Sequence, residues 1–155
     1  MDVFKTVKRV ETAVEMAIAL KQHLRDRYSR SRESSVDPAS RDLFSFLAAE
    51  QERLLGLYRQ FLDEMGYGFQ QVEHVGEYGK YIAMLISHIP SAQKAFESMS
   101  IAEALENALQ IGDETCEAFT VMDATLNDAR VKRVGTEEKR HRDKIGAYRE
   151  ALEKR

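Results

Sequence analysis

The 155 residues, 43% hydrophobic and 32% charged, fit one domain spanning residues 1–155 that can bury a core without disulfides. The formal net charge of −3 does not fit a dedicated nucleic-acid binder, which needs a basic face, and no stretch approaches the ~20 apolar residues of a membrane span. The start of the chain has no long apolar run and the chain contains one cysteine, Cys116, so we expect no signal peptide and a reducing, cytoplasmic compartment.

Two long helices are predicted in the first half, because apolar residues recur there at three- and four-residue spacing. The first covers about residues 2–28 and is followed by a polar, serine-rich link over residues 29–36. Asp37 has the side chain of an N-cap and Pro38 suits the first helical position, so the second helix is expected to begin there. We expect it to end near Met65, because two glycines follow.

Two more long helices are predicted after a long connection over residues 66–99. Within that connection, the segment EYGKYIAMLISHI has the pattern of a short helix. Ser100 and Glu103 form a capping-box signature at the start of the third long helix, and Asn127 or Asp128 is expected to cap the fourth. The sequence therefore predicts an all-α four-helix bundle, made of two helical hairpins joined by a long central crossover.

Each long helix carries a polar residue or a glycine in the middle of its apolar stripe. These interruptions are Lys21 in the first helix, Gln51 in the second, Gly112 in the third, and Glu138 and His141 in the fourth. In a bundle, these positions would lie at one level of the core, where a buried charge needs a partner because desolvating it alone costs several kcal/mol. We therefore expect one polar cluster in the interior of the bundle.

Segments around these positions resemble the rubrerythrin-like branch of the ferritin superfamily. The first helix contains AIALKQHLRDRY, the second LFSFLAAEQERL and the third ALQIGDETCEAF, while the fourth carries a complete Glu-x-x-His pair. The resemblance implies a ferritin-like bundle, a fold in which glutamate and histidine side chains from the four helices bind two metal ions. The positions that correspond to the metal ligands of the family are Lys21, Gln51, Leu54, Gly112, Glu138 and His141.

Among these six positions, Glu138 and His141 keep the identity of a ligand and the other four do not. We therefore expect a non-catalytic protein, structural or partner-binding, that carries no cofactor and has no catalytic residue. In this interpretation Lys21 takes the place of a metal cation and pairs with Glu138, while Gln51 and His141 complete the hydrogen bonds of the cluster.

Three alternatives stay open at the level of the sequence. The first is a divergent metal-dependent oxidoreductase, peroxidase-like or iron-handling, with iron or another transition metal bound by Glu138 and His141. The second is a dimeric adaptor, a homodimer that forms through the 66–99 crossover. The third is a small-ligand pocket at the level of the polar cluster.

Overall fold

The computed structural model describes residues 3–64, residue 96 and residues 99–155. The regular secondary structure in these ranges is entirely helical: α1 is Val3–Ser34, α2 is Pro38–Glu64, α3 is Ile101–Leu126 and α4 is Ala129–Glu153. The prediction of four long helices is confirmed. The short helix predicted within the 66–99 connection lies outside the described residues. None of the described helices contains a stretch that is long and apolar enough to cross a membrane.

The predicted end of α1 near residue 28 is wrong, because the helix continues through part of the serine-rich segment to Ser34. Ser31 is buried, and its hydroxyl donates a hydrogen bond of 2.9 Å to the carbonyl of Arg27. The hydroxyl of Ser35 donates in the same way to the carbonyl of Ser31 at 2.6 Å. Serine side chains that bond to the preceding turn are compatible with a helix. The link between α1 and α2 therefore consists of residues 35–37 only.

The predicted helix caps of α2 and α3 are present. The Asp37 carboxylate accepts from the backbone N–H of Ser40 at 3.3 Å, at the start of α2. Ser100 caps α3, and its hydroxyl oxygen accepts from the backbone N–H of Glu103 at 3.2 Å. These contacts satisfy backbone donors that have no partner inside the first turn of a helix.

At the turn between α3 and α4, the two candidate cap residues each cap a different helix. Asp128 is the N-cap of α4, because its carboxylate accepts from the backbone N–H of Arg130 at 2.8 Å. Asn127 instead ends α3 in the left-handed conformation, with φ of 47°, and its N–H donates to the carbonyl of Asp123 at 2.8 Å. Asparagine tolerates this conformation better than most residues do.

The four helices pack as two hairpins, since α1 contacts mainly α2 and α3 contacts mainly α4. The short link within each hairpin makes its two helices antiparallel. An aromatic group closes one end of the bundle, where the Tyr28 ring lies 5.0 Å from the Phe96 ring and 6.4 Å from the Phe44 ring, centroid to centroid. A smaller apolar cluster that includes Val10 and Val131 lies at the other end.

Two larger apolar clusters fill the core between these ends. Along α2, Leu47 belongs to one cluster and Leu54 to the other. Along α4, Ile145 and Val134 divide in the same way. The interruptions predicted in the apolar stripes therefore lie where the two clusters meet. This arrangement creates a polar level between the two apolar clusters.

Candidate functional site

Four of the predicted site residues come together in what we call the polar layer: Lys21 of α1, Gln51 of α2, and Glu138 and His141 of α4. Lys21, Gln51 and Glu138 are each 1% exposed and His141 is 4% exposed. Helical periodicity places Glu138 and His141 on one face of α4, because residues three apart are neighbours on a helix surface. The polar layer thus connects three of the four helices through side chains that are almost completely removed from water.

An ion pair between α1 and α4 occupies the centre of the polar layer. The Nζ atom of Lys21 lies 2.6 Å from the Oε1 atom of Glu138. Within the described part of the chain, Oε1 has no partner that meets the angular requirements of a hydrogen bond. The short distance and the poor angle identify the contact as a direct charge–charge attraction with imperfect directionality. Removing one member would leave an uncompensated charge in the core, which costs about 3–5 kcal/mol.

A second contact crosses the polar layer between α2 and α4. The side-chain amide nitrogen Nε2 of Gln51 lies 3.0 Å from the imidazole Nε2 of His141. In this orientation of the amide its nitrogen donates, so the imidazole Nε2 is assigned as the acceptor and the ring proton is assigned to Nδ1. Nδ1 lies 3.9 Å from the Glu50 carboxylate, which is too far for a hydrogen bond. His141 is therefore a neutral imidazole whose Nδ1–H faces a carboxylate at a distance.

The surroundings of His141 keep the imidazole neutral. Burial is the largest cause, and the positive charges of Lys21, Arg53 and Lys144 add to it, so that the pKa of His141 lies well below its usual value of 6.5. Desolvation and nearby cations both disfavour the protonated imidazole. The imidazole acts here as a hydrogen-bond acceptor for Gln51 rather than as a third cation in the layer.

Tyr58 lies beside the ion pair. Its hydroxyl is buried and donates a long hydrogen bond of 3.5 Å to the carbonyl of Val134. Burial raises the pKa of Tyr58 well above 10, and the negative charge of Glu138 raises it further. The phenol therefore stays protonated and remains a donor next to the carboxylate.

Glu50 lies beside the polar layer, on the side where α2 and α4 meet the surface. It was not among the predicted site residues. Its two carboxylate oxygens contact Lys144 Nζ and Arg53 Nε, each at 2.9 Å, although its side chain is only 7% exposed. Arg53 also reaches Glu137 at 3.5 Å. The available sequence signal was the pair formed by Glu50 and Arg53, whose i, i+3 spacing suits an ion pair on one helix face.

Two of the six predicted positions do not join the polar layer. Leu54 is completely buried in an apolar cluster with Val14 and Val134. Gly112 instead allows α3 and α4 to approach closely, because a Cβ atom there would lie 3.0 Å from Cγ and 3.2 Å from Cβ of Arg142. The space that glycine leaves open is therefore occupied by an arginine of α4 and not by a residue of the polar layer.

Cys116 lies close enough to the polar layer to respond to its charges. Burial raises the pKa of its thiol to about 11, and the negative charge of Glu138 also raises it. Because the thiolate is the nucleophilic form, a raised pKa makes the thiol unreactive at neutral pH. Cys116 therefore does not have the properties of a catalytic nucleophile.

The polar layer does not fit a two-metal centre. A cationic ammonium group 2.6 Å from the Glu138 carboxylate would repel a divalent cation. The imidazole Nε2 already accepts from Gln51, and neither Leu54 nor Gly112 can donate an electron pair through its side chain. Among the described residues, no group of three or more histidine, cysteine, aspartate or glutamate side chains is arranged to hold a metal ion.

No protein-family model, curated protein or solved structure shows significant similarity to this chain.

Proposed function

We propose that this chain is a ferritin-like protein of the rubrerythrin-like branch in which an internal ion pair has replaced the metal site, and that it acts without catalysis as a structural or partner-binding protein. The observation that carries this proposal is the contact of 2.6 Å between Lys21 and Glu138, both 1% exposed, in the middle of the bundle. In a metal-binding relative, the same level would hold carboxylate side chains that bind metal ions.

Charge balance gives the physical reason. A buried carboxylate is stable only when a positive charge or several donors compensate for its lost hydration. The ammonium of Lys21 supplies that compensation from inside the chain, so Glu138 needs no external cation. A neutral His141 bonded to Gln51 adds no further charge. The positive charge of Lys21 and the negative charge of Glu138 thus balance each other within the layer, which supports a role that depends on the fold and not on a metal.

The positions of the helix ends support the ferritin-like connectivity. Glu64, the last residue of α2, contacts Arg133 near the start of α4 at 3.5 Å. Phe96 packs on Tyr28 at the opposite end of the bundle. The end of α2 and the start of α3 thus lie at opposite ends of the bundle, which supports the proposal of one long crossover between the hairpins. The proposed homodimer through residues 66–99 concerns a segment outside the described residues and stays a prediction.

Metal loading tests the proposal directly. The full chain is incubated anaerobically with excess ferrous iron and desalted, and iron per chain is measured by elemental analysis. We expect well under one iron per chain, and the same content in the variant His141→Ala, because any iron retained would then be bound elsewhere. Circular dichroism checks that the variant is folded.

Two outcomes would overturn this proposal. Two tightly retained irons per chain would show that the polar layer rearranges to bind metal. Peroxide-dependent turnover that disappears in His141→Ala would establish the oxidoreductase alternative instead. A Lys21→Arg variant controls for general damage to the layer, since it changes the shape of the cation while keeping its charge.

A further inference from the structure

The polar layer lies on the boundary between the two hairpins. The ion pair of Lys21 and Glu138 joins α1 to α4 at 2.6 Å, and the contact of Gln51 with His141 joins α2 to α4 at 3.0 Å. Within each hairpin a short link holds the two helices together, since residues 35–37 join α1 to α2 and residues 127–128 join α3 to α4. No such short link holds one hairpin at a fixed offset from the other, because the sequence between α2 and α3 is long.

The apolar residues around the polar layer repeat every seven positions. Each polar residue of the layer has an apolar or aromatic residue seven positions before it and another seven positions after it, on the same face of its helix. These triplets are Val14, Lys21 and Tyr28 on α1; Phe44, Gln51 and Tyr58 on α2; Val131, Glu138 and Ile145 on α4; and Val134, His141 and Tyr148 on α4. All the flanking residues are buried except Tyr148, which is half-buried.

This repeat allows the apolar residues to pack at more than one offset. In the structure, Ile145 belongs to the same apolar cluster as Tyr28. If the α3–α4 hairpin moved by seven residues toward the start of α1, a shift of about 10 Å, Ile145 would lie level with Lys21 and Leu152 would lie level with Tyr28. Because α1 extends in that direction to Val3, α4 would still lie against a helix. The apolar pattern alone is therefore compatible with two offsets.

The charges of the polar layer are compatible with only one of these offsets. After the same shift, Glu138 would lie level with Val14, and Lys21 would lie level with Ile145. Each charge would then be buried against an apolar side chain, with neither water nor a counter-charge to compensate for it. Buried polar residues specify the register of coiled coils for the same physical reason.

The exposed ion pairs between the hairpins discriminate less between the two offsets. Arg133 of α4 contacts Glu64 of α2 at 3.5 Å, with 52% and 48% of their side chains exposed. Both groups keep most of their water if the pair separates, so little is lost. This exposed pair is therefore a matched control for the buried one.

We propose that the polar layer fixes the axial offset between the α1–α2 hairpin and the α3–α4 hairpin. The ion pair of Lys21 and Glu138 selects the offset, and the contact of Gln51 with His141 reinforces it. A fixed offset keeps constant every surface that combines residues of both hairpins, such as the face where Lys144 meets Glu50. The polar layer thereby determines the shape of that surface without being part of it.

Distances between two spin labels measure this offset directly by pulsed electron paramagnetic resonance. In a Cys116→Ser background, the labels are attached to Asp42→Cys on α2 and Lys132→Cys on α4, two exposed positions toward opposite ends of the bundle. With the polar layer intact, the labels should give one narrow distance distribution. A shift by seven residues moves position 132 away from position 42 and lengthens the distance by about 10 Å.

Replacing all four polar side chains by apolar ones should release the offset. The labelled variant is Lys21→Met/Gln51→Leu/Glu138→Met/His141→Leu. We expect it to remain helical by circular dichroism and to show a second population at the longer distance, because both offsets then bury only apolar side chains at this level.

Two controls separate a change of offset from general loosening. Glu64→Met/Arg133→Met removes the exposed pair between the same two helices and should keep the single distance. Labels at Gln110→Cys and Lys132→Cys both lie on the α3–α4 hairpin, so their distance should stay the same in every variant.

The proposal is overturned if the folded four-residue variant keeps the single distance of the natural layer, or if Glu64→Met/Arg133→Met shows the same second population. If the four-residue variant does not fold, Lys21→Met/Glu138→Met is measured in its place and judged by the same criterion. Loss of folding in both variants also overturns the proposal, because the layer would then be required for folding itself and not for the choice of offset.

Discussion

The polar layer and a surface groove between α3 and α4, which is lined by residues that include Asp123, Lys132 and Lys139, both combine lysine and acidic side chains, but in opposite environments. In the polar layer, Lys21 and Glu138 are almost fully buried and lie 2.6 Å apart. In the groove, Lys132 and Lys139 are exposed, and neither forms an ion pair with a residue that the structure describes. Burial enforces pairing, because an isolated charge in the core is too costly, whereas solvent screens an unpaired charge at the surface. A buried charge therefore needs a partner within the fold, whereas an exposed charge does not.

Breaking the buried pair should have the largest effect. We expect Lys21→Met to lower the free energy of unfolding by about 3–5 kcal/mol, because Glu138 is then left buried without compensation. The double variant Lys21→Met/Glu138→Met should lie within about 1 kcal/mol of the natural chain or exceed it, since the desolvation penalty disappears together with the attraction. Urea unfolding at neutral pH measures both values.

An exposed ion pair provides the control for that experiment. Arg149 and Glu106 are 3.4 Å apart, with 43% and 74% of their side chains exposed. Arg149→Met should cost less than about 1 kcal/mol, as surface pairs do. If Lys21→Met lowers the free energy of unfolding no more than Arg149→Met does, burial does not determine how much an ion pair matters to stability. The comparison between buried and exposed charges then fails.

Acidification should destabilise the polar layer through His141. The pKa of His141 is depressed in the folded chain, so below pH 6.5 the unfolded chain binds a proton that the folded chain does not. Stability is therefore complete above the unfolded pKa and falls as the pH is lowered toward the folded pKa. Between about pH 7.5 and 5.5, this one group should remove about 1.4 kcal/mol.

The contribution of His141 is obtained as the difference between the natural chain and His141→Gln, each unfolded by urea across this pH range. In His141→Gln, the loss on acidification should be smaller by that amount. The imidazole resonances of His141 should also stay constant by nuclear magnetic resonance from about pH 8 to 6.5. A titration midpoint at or above 6.5 would contradict the neutral imidazole.

The two glycines at the α3–α4 interface should respond in opposite directions and by the smallest amounts. Gly135→Ala should raise the free energy of unfolding by up to about 1 kcal/mol, because alanine favours the helix and its Cβ meets open space. Gly112→Ala should lower it by about 1 kcal/mol, because the new Cβ crowds the base of the Arg142 side chain. Thermal or urea unfolding of both variants gives the comparison, and an equal gain in both would refute the close approach at Gly112.

The local features of this protein could be predicted from the sequence because they depend on near neighbours along the chain. Apolar spacing located the four helices, and the side chains of Asp37, Ser100 and Asp128 marked helix starts that the structure confirms. The end of α1 was misplaced because serine is unfavourable in a helix until its hydroxyl finds the carbonyl of the preceding turn, as at Ser31.

Predicting which side chains meet in and around the polar layer required more than the spacing of polar residues along the chain. The stripes identified Lys21, Gln51, Glu138 and His141 as interior positions, because a polar residue at an apolar position of the period stands out in any single helix. The position of Glu50 beside the polar layer depends on how α2 is rotated against α4, since Lys144 reaches it across that interface at 2.9 Å. The same rotation determines that Gln51 meets the Nε2 atom of His141.

The sequence by itself thus determined the number of long helices, where each of them begins to within a few residues, and the presence of polar groups inside the bundle. The tertiary structure alone decided which charge pairs with which, what fills the space beside Gly112, and that Asp123, Lys132 and Lys139 line one groove. The physical reason is that helix periodicity is set by bonds within one segment, whereas contacts between helices depend on their offsets and rotations, which the packing of the whole core selects.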